Sequence, residues 1–530
     1  MASNKGASRK TGKPGRKKNA KAALKVKAKK SSSPSKGAKD KSESAVKRKR
    51  QVSKKAEKAQ PPGEGIKKEK SAKGNDPKDN SEQIKAIVEA RDENVIAIAA
   101  YLEKIGRADN VALLEAMEEL KLSTLEGLAA AGEAMELIRN RAKYDYLFSA
   151  AGGPELTEKN NDNENLDIMW SRLMVHRALA GDDSAGALAL QKNMPGGIKG
   201  ILSDILSKRD WIEEYPDRAK NTVSYLAARY SLPHWLAAEM LAQHGLMKAE
   251  LIGKGSFSEH VQALAVNLAR TNQQELRSLL SKENVEAEPG RYFEHTLVAL
   301  PDVDLRSTTS YEQGLFEIVD PVEQLICQVS MARQPSDVIL WKAVQNSALD
   351  ASLACRLAGA GKLTVLVSDP GESLDVKKRA RRLGSLMVRA IEVKTDTPLD
   401  KERIGRAGVV IVEVPSSNTG NIYNDPLAPW RLASDDLPAI EDRQARLLEE
   451  ASKLVAPRGR LVYVTRSVLY AENQAVAASF MDSNPRFNRV PVRHLGRSLG
   501  EFETQEDFLQ VLPGQSDMPG VFVAVLEQEW

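Results

Sequence analysis

The chain has 530 residues, 77 Lys and Arg against 72 Asp and Glu, a formal net charge of +5 and two cysteines. At ordinary domain sizes that length makes roughly three or four folded units, each able to bury a core. No apolar run reaches the ~18 residues of a membrane-spanning helix, and two cysteines are too few for a disulfide framework, so a soluble intracellular protein is expected.

The charge is unevenly spread. Residues 1–80 hold 27 Lys and Arg, 7 Asp and Glu and no aromatic residue, leaving 50 basic and 65 acidic residues for the rest. A tail of charge +20 therefore precedes a body of charge −15. Lys, Ala, Ser, Gly and Pro cannot offset their ordering entropy by burial, so residues 1–80 are expected to be disordered. Nucleic acid is the natural partner, because each cation near a phosphate releases condensed counterions. The cluster Lys47, Arg48, Lys49 and Arg50 also reads as a localisation signal within a solubilising tail. The basic start lacks the apolar stretch of a secretory signal.

Residues 81–225 follow a helical period: Leu113, Met117 and Leu120 share one face, and Leu125, Leu128, Met135 and Leu137 another. Residues 226–305 read as a small α+β unit. In it Ser231-Leu232-Pro233 opens a capped helix with an apolar face of Trp235, Leu236, Met240 and Leu241. Residues 263–268 alternate as a strand, and residues 273–281 follow as a helix. Cys327 and Cys355 each sit in an apolar helical pattern, which predicts small buried side chains with no disulfide and no metal site.

From about residue 310 strands and helices alternate, the pattern of a mostly parallel sheet covered on both faces. Strands are expected over 338–341, 363–369, 388–393, 409–413 and 460–465, the last entered through a turn at Pro457-Arg458-Gly459. Ligands of such sheets bind beyond the carboxyl ends of the strands, which directs Asp369, Asp396, Glu413 and Thr465-Arg466-Ser467 to one crevice. The stretch 409–420 is the most informative: a β-branched run ends in Glu413, Val414 and Pro415 and turns through Ser416-Ser417-Asn418-Thr419-Gly420.

These segments resemble, in order, the RsmB/Sun/Nop-type RNA (cytosine-5) methyltransferases. Residues 200–209 look like the end of that family's NusB-like helical domain, and Tyr230-Ser231-Leu232-Pro233-His234-Trp235-Leu236 like its Tyr-Ser-x-Pro-x-Trp-Leu segment. Val266-Asn267 resembles the Arg-Val-Asn strand of its RNA-binding subdomain, and Gly314-Leu315-Phe316-Glu317-Ile318-Val319-Asp320 its Gly-x-Phe-x-Val-Gln-Asp segment. Trp430-Arg431, Glu472-Asn473, Phe502-Glu503-Thr504 and Gly520-Val521-Phe522 continue the series. The resemblance implies a Rossmann-like class I methyltransferase domain over 306–530, preceded by the small RNA-binding unit, the helical NusB-like domain and the tail.

It also implies a chemistry that this chain is not equipped for. In the family one cysteine adds to C6 of cytosine, an acid holds the ring at N3, C5 takes the methyl group from S-adenosylmethionine, and a second cysteine assists release. Carried over by position, the acid is Glu413 in place of Asp, the release cysteine is Ser416, and the attacking cysteine is Arg466. A serine hydroxyl needs an adjacent base, no histidine lies near in sequence, and a guanidinium cannot attack. The family's Ala-Pro-Gly-Gly-Lys cofactor loop falls on Gln345-Asn346-Ser347-Ala348-Leu349, whose side chains stand where glycines let the backbone approach. Asp369 and Asp396 match the acids after the second and third strands, so they remain as candidates for a weakened or lost cofactor site.

The resulting expectation is an RNA-binding protein on a methyltransferase scaffold, related to rRNA or ribosome assembly, without catalysis. Its candidate RNA contacts are Lys47, Arg48, Lys49, Arg50, Asn267 and Arg466, and its location the cytoplasm, or the nucleus or nucleolus of a eukaryote. The alternatives are an active methyltransferase with a non-cysteine mechanism, in which Glu413 is the base, and a protein-interaction scaffold.

Overall fold

The computed structural model describes residues 77–150, 152–153, 162–180, 215–258, 261–299, 303–333, 335–345, 347–394 and 397–529. The basic tail with Lys47, Arg48, Lys49 and Arg50, the stretch 200–209, Asn346 and Asp396 lie outside the described residues.

Among the described residues five helices come first: α1 (Pro77–Ile105), α2 (Asn110–Glu119), α3 (Thr124–Arg139), α4 (Arg141–Ala150) and α5 (Asp162–Ala180). Helix α3 opens with a capping box, in which the Ser123 hydroxyl and the Glu126 carboxylate satisfy each other's backbone N–H groups. Its buried face is Ala130, Ala134, Leu137 and Ile138, packed on Val95, Ile98 and Leu102 of α1. Of the expected face Met135 and Leu137 are buried, whereas Leu125 and Leu128 are 81% and 63% exposed. Small alanines let α1 and α3 approach closely, and the larger leucines at the start of α3 point to water.

Next come α6 (Thr222–Arg229) and α7 (His234–Gly255), whose Leu226, Leu236 and Met240 pack on Ile422, Leu437, Val468, Leu469 and Leu512. No side chain caps α7. Ser231 has a left-handed φ of 45° and its hydroxyl accepts the Ala142 N–H instead, while Pro233 occupies the cap position. A four-stranded antiparallel sheet follows, built from β1 (Gln262–Val266), β2 (Ala287–Pro289), β3 (Thr296–Ala299) and β4 (Phe316–Val319) in the order β2-β3-β1-β4, with α8 (Gln273–Lys282) beside it. Because β4 pairs with β1 through Val266 and Phe316, the small sheet runs past residue 305.

The chain then enters α9 (Pro321–Ser330), β5 (Asp337–Lys342), α10 (Leu349–Leu357), β6 (Lys362–Val367), α11 (Pro370–Leu383), β7 (Val388–Glu392) and β8 (Ala407–Glu413). It closes with α12 (Leu437–Ser452), β9 (Val455–Thr465), α13 (Val476–Ser483), β10 (Phe487–Arg489), β11 (Leu509–Val511) and β12 (Val521–Gln528). The sheet order is β10-β12-β9-β8-β5-β6-β7, with β11 on β12; β5 to β9 are parallel, and β12 runs against β9. The turn expected at Pro457-Arg458-Gly459 is a bulge inside β9, where Arg458 has φ 60° and the register with β8 shifts.

Alternate strand residues feed two cores. Val338, Leu340, Val365, Val409, Ile411 and Val462 meet α9 and α10 on one face. Ile339, Trp341, Leu366, Val410, Val412 and Tyr463 meet α12 and α13 on the other. Cys327 and Cys355 are buried in the first core, and burial raises both thiol pKa values, that of Cys327 to about 12. Among the described residues no helix is long and apolar enough to cross a membrane, and no cluster of His, Cys, Asp and Glu fits a metal ion.

Candidate active-site cleft

From β5 the chain moves to β6 and β7 on one side, then returns to place β8 and β9 on the other, so the strand order reverses between β5 and β8. In sheets of this topology such a reversal, at the carboxyl ends of the strands, is where ligands bind. Lys342 and Glu413, the last residues of β5 and β8, stand in register there. Both are buried, at 2% and 3% exposure.

Lys342 belongs to a charge network. Its Nζ lies 3.4 Å from Glu372 and 3.7 Å from Asp350, and Asp350 in turn accepts two bonds from Arg379 at 2.8 and 3.1 Å. Glu413 accepts the Ser347 hydroxyl at 2.8 Å. Burial raises the Glu413 pKa, while the charges of Arg466 and Lys342 and the Ser347 bond pull it back.

Glu323, on the first turn of α9, is the third charge of the cleft. One oxygen accepts the Asp320 N–H at 3.1 Å in a capping box, and the other accepts the Ala348 N–H at 2.8 Å. Burial and the neighbouring Asp320 push its pKa up to about 7. Arg466 faces this group, with Nη1 3.7 Å from Asp320 and Nη2 3.9 Å from Glu323. Those distances give attraction without a hydrogen bond, and Arg466 Nη1 has no hydrogen-bond partner.

The loop after β8 is held from below by Glu472, which is fully buried. Its carboxylate accepts the Ser417 N–H at 2.8 Å, the Ser467 hydroxyl at 2.5 Å, the Gln444 amide at 3.0 Å and the Ser417 hydroxyl. Asn418 takes a left-handed φ of 57°, and Gly420 comes so close to Gly520 that a Cβ would meet its carbonyl at 2.7 Å. The Gly420 N–H bonds Arg466 O at 2.8 Å, tying the loops after β8 and β9 together.

Comparison with known proteins agrees with this architecture. The family model described as 16S rRNA methyltransferase RsmB/F matches residues 357–527. The probable ribosomal RNA small subunit methyltransferase B of Bacillus subtilis is 24% identical over 372 residues, which cover 69% of this chain and 80% of that protein. The ribosomal RNA small subunit methyltransferase B of Vibrio vulnificus is 24% identical over 361 residues, 68% of this chain and 79% of that one. The crystal structure of PH0851 superposes with a TM-score of 0.62 at 20% identity, covering 83% of this chain and 99% of that one. These matches support a likeness to the RsmB/Sun-type methyltransferases, with the family model confined to residues 357–527.

The candidate residues fall into three groups. Glu413 and Arg466 come within reach of each other's charge, whereas Ser416, on the loop after β8, is half-buried and its hydroxyl accepts the Asn418 N–H at 3.3 Å. Asp369 lies exposed at the end of β6, where its carboxylate caps α11 by accepting the Gly371 N–H at 2.6 Å. Asn267 is corrected: it is fully buried, and its amide donates to the carbonyls of Gly314 and Leu383, both at 2.8 Å. A side chain spent on joining the small sheet to α11 has no face left for RNA.

Three cleft residues escaped the sequence reading. Asp320-Pro321-Val322-Glu323 carries a capping-box signature, so Glu323 was visible as a cap but not as a cleft acid. Lys342 ends an apolar strand, and its charge is the one signal it gave. Glu472 appeared within Glu472-Asn473 without a role.

Proposed function

We propose that this protein is an RNA-binding member of the RsmB/Sun-type family that engages structured ribosomal RNA in the cytoplasm and does not transfer a methyl group to cytosine. The observation that carries the reading is Arg466. It stands where the family's attacking cysteine falls, facing Asp320 and Glu323. The only two thiols of the chain are buried in the sheet's core with raised pKa values. Neither supplies a thiolate at the cleft.

The surroundings of β5 do not fit S-adenosylmethionine either. Lys342 is buried at the switch point between Glu372 and Asp350, so the carboxylates nearest β5 are already spent on a cation of the protein itself. The Ser347 side chain bonds Glu413, and the Ala348 N–H, a backbone donor of the kind that cradles a cofactor, is taken by Glu323. Loss of chemistry leaves RNA binding open, because phosphate contacts and catalysis use different groups. The basic tail and the body of opposite charge support a division in which the tail supplies affinity.

A second reading, methyl transfer without a covalent adduct, has one observation in its favour. Burial raises the Glu413 pKa toward the range of a general base. Calorimetric titration with S-adenosylmethionine separates the two: no heat supports the binding role, and micromolar binding overturns the loss of cofactor. Labelled methyl transfer to rRNA tests the enzyme reading directly. Deleting residues 1–80 is expected to weaken RNA affinity and flatten its dependence on salt, and unchanged binding refutes the tail's part.

A further inference from the structure

At the other end of the sheet a second polar site is built. The register pairs Arg460 with Val409 and Glu527, whereas Glu413 pairs with Val464, so Arg460 lies four strand residues away toward the amino ends. At the rise of a β-strand this is about 13 Å from the cleft. A cavity of about 580 Å³ opens there, lined by Arg333, Arg458, Arg460, Arg489, His494 and Glu527.

Arg460 is the centre of that site. It is only 5% exposed, yet its Nη1 has no hydrogen-bond partner. Its Nε reaches one oxygen of Glu527 at 3.3 Å, while Arg333 holds the other oxygen at 2.8 Å. Glu527 is therefore divided between two guanidinium groups and neutralises neither fully. Arg489 is drawn toward Asp507 at 3.8 Å, and Glu529 is exposed and engaged by Asn488 at 2.5 Å. Arg458 forms no ion pair among the described residues. Burial and the like charge of Arg333 lower the Arg460 pKa, so the group is short of negative charge; a guanidinium answers this by binding an anion, not by losing its proton.

We propose that this cavity is a phosphate-binding site, in which Arg333 and Arg458 close over the anion and Arg460, in the cavity lining, supplies the under-compensated positive charge beneath it. Several forked donors converging on one pocket suit a tetrahedral oxyanion, which accepts from more than one guanidinium at once. The ligand is a phosphoryl group, either free or carried on a phosphodiester backbone. The inference is independent of how the cleft is read.

The test is thermal unfolding of the full chain with millimolar inorganic phosphate against chloride at equal ionic strength. The wild-type chain is expected to melt several degrees higher in phosphate. The double variant Arg333→Gln/Arg458→Gln, altered at two exposed positions, is expected to lose that shift. Arg460→Met removes the orphaned donor with the stem retained; it is expected to melt no lower than wild type in chloride and to ignore phosphate. The tail is present in every chain, so its own anion binding cancels in the comparison. An equal phosphate shift in wild type and both variants, or none in wild type, overturns the proposal. RNA titrations across salt distinguish the two sources. A site for backbone phosphate lowers the salt slope of the double variant by about one per lost contact, whereas a site for free phosphate leaves it unchanged while the melting shift is lost.

Discussion

Replacing Glu323 by glutamine isolates one buried proton at the mouth of the cleft. Glu323 keeps its proton up to about pH 7 in the folded chain, against an ordinary value of 4.5. Between those two values the unfolded chain releases a proton that the fold retains, so stability falls as the pH rises through that window and levels off above it. The gap corresponds to about 3 kcal/mol. Glutamine has a single acceptor oxygen, so the variant keeps the bond from the Ala348 N–H or that from the Asp320 N–H but not both, a cost of about 1–3 kcal/mol that does not vary with pH and leaves the slope free of the titration. Unfolding in urea at steps from pH 4.5 to 8 measures the effect as the difference between the two chains. That difference is expected to shift in the variant's favour by about 3 kcal/mol between the lower and upper ends of the range. Acids remote from Glu323 are common to both chains and cancel; Glu413, whose charge acts on Glu323, does not, so the difference reads the two carboxyls together. Two parallel stability curves would show that Glu323 ionises normally, and the account of the cleft as a crowded set of buried charges would fail.

Asn267→Ala removes both bonds from α11 and the β4 approach, leaving two buried carbonyls unpaired, and is expected to cost about 2–4 kcal/mol in denaturant unfolding. RNA affinity measured well below the melting temperature should stay at the wild-type value; a specific loss of affinity would restore Asn267 as an RNA contact. Glu472→Ala leaves the Ser417 N–H without its acceptor and reduces the Ser417 and Ser467 hydroxyls to one another and Thr419, and Gln444 to Pro415 O; a loss of about 3 kcal/mol is expected, together with faster proteolysis near residues 416–420. Wild-type resistance to protease would mean that the loop does not depend on Glu472.

The sequence by itself determined the parallel sheet, its five principal strands and the absence of sulfur from positions 416 and 466. Those properties are local: an alternating run of Val and Ile declares a strand, and a Ser or Arg at a position declares what it cannot do. Tertiary structure decided what stands around them. Asn267 reads as a polar strand end until a carbonyl 116 residues away claims its amide. Leu125 and Leu128 have helical spacing, yet the small residues after them make the contact with α1. Lys342 and Glu413 are 71 residues apart and face each other only because the strand order reverses between them. Periodicity encodes which face of an element is apolar, over spans of two to four residues. Pairing of buried charges depends on which elements the topology makes neighbours, and that is settled only when the sheet closes.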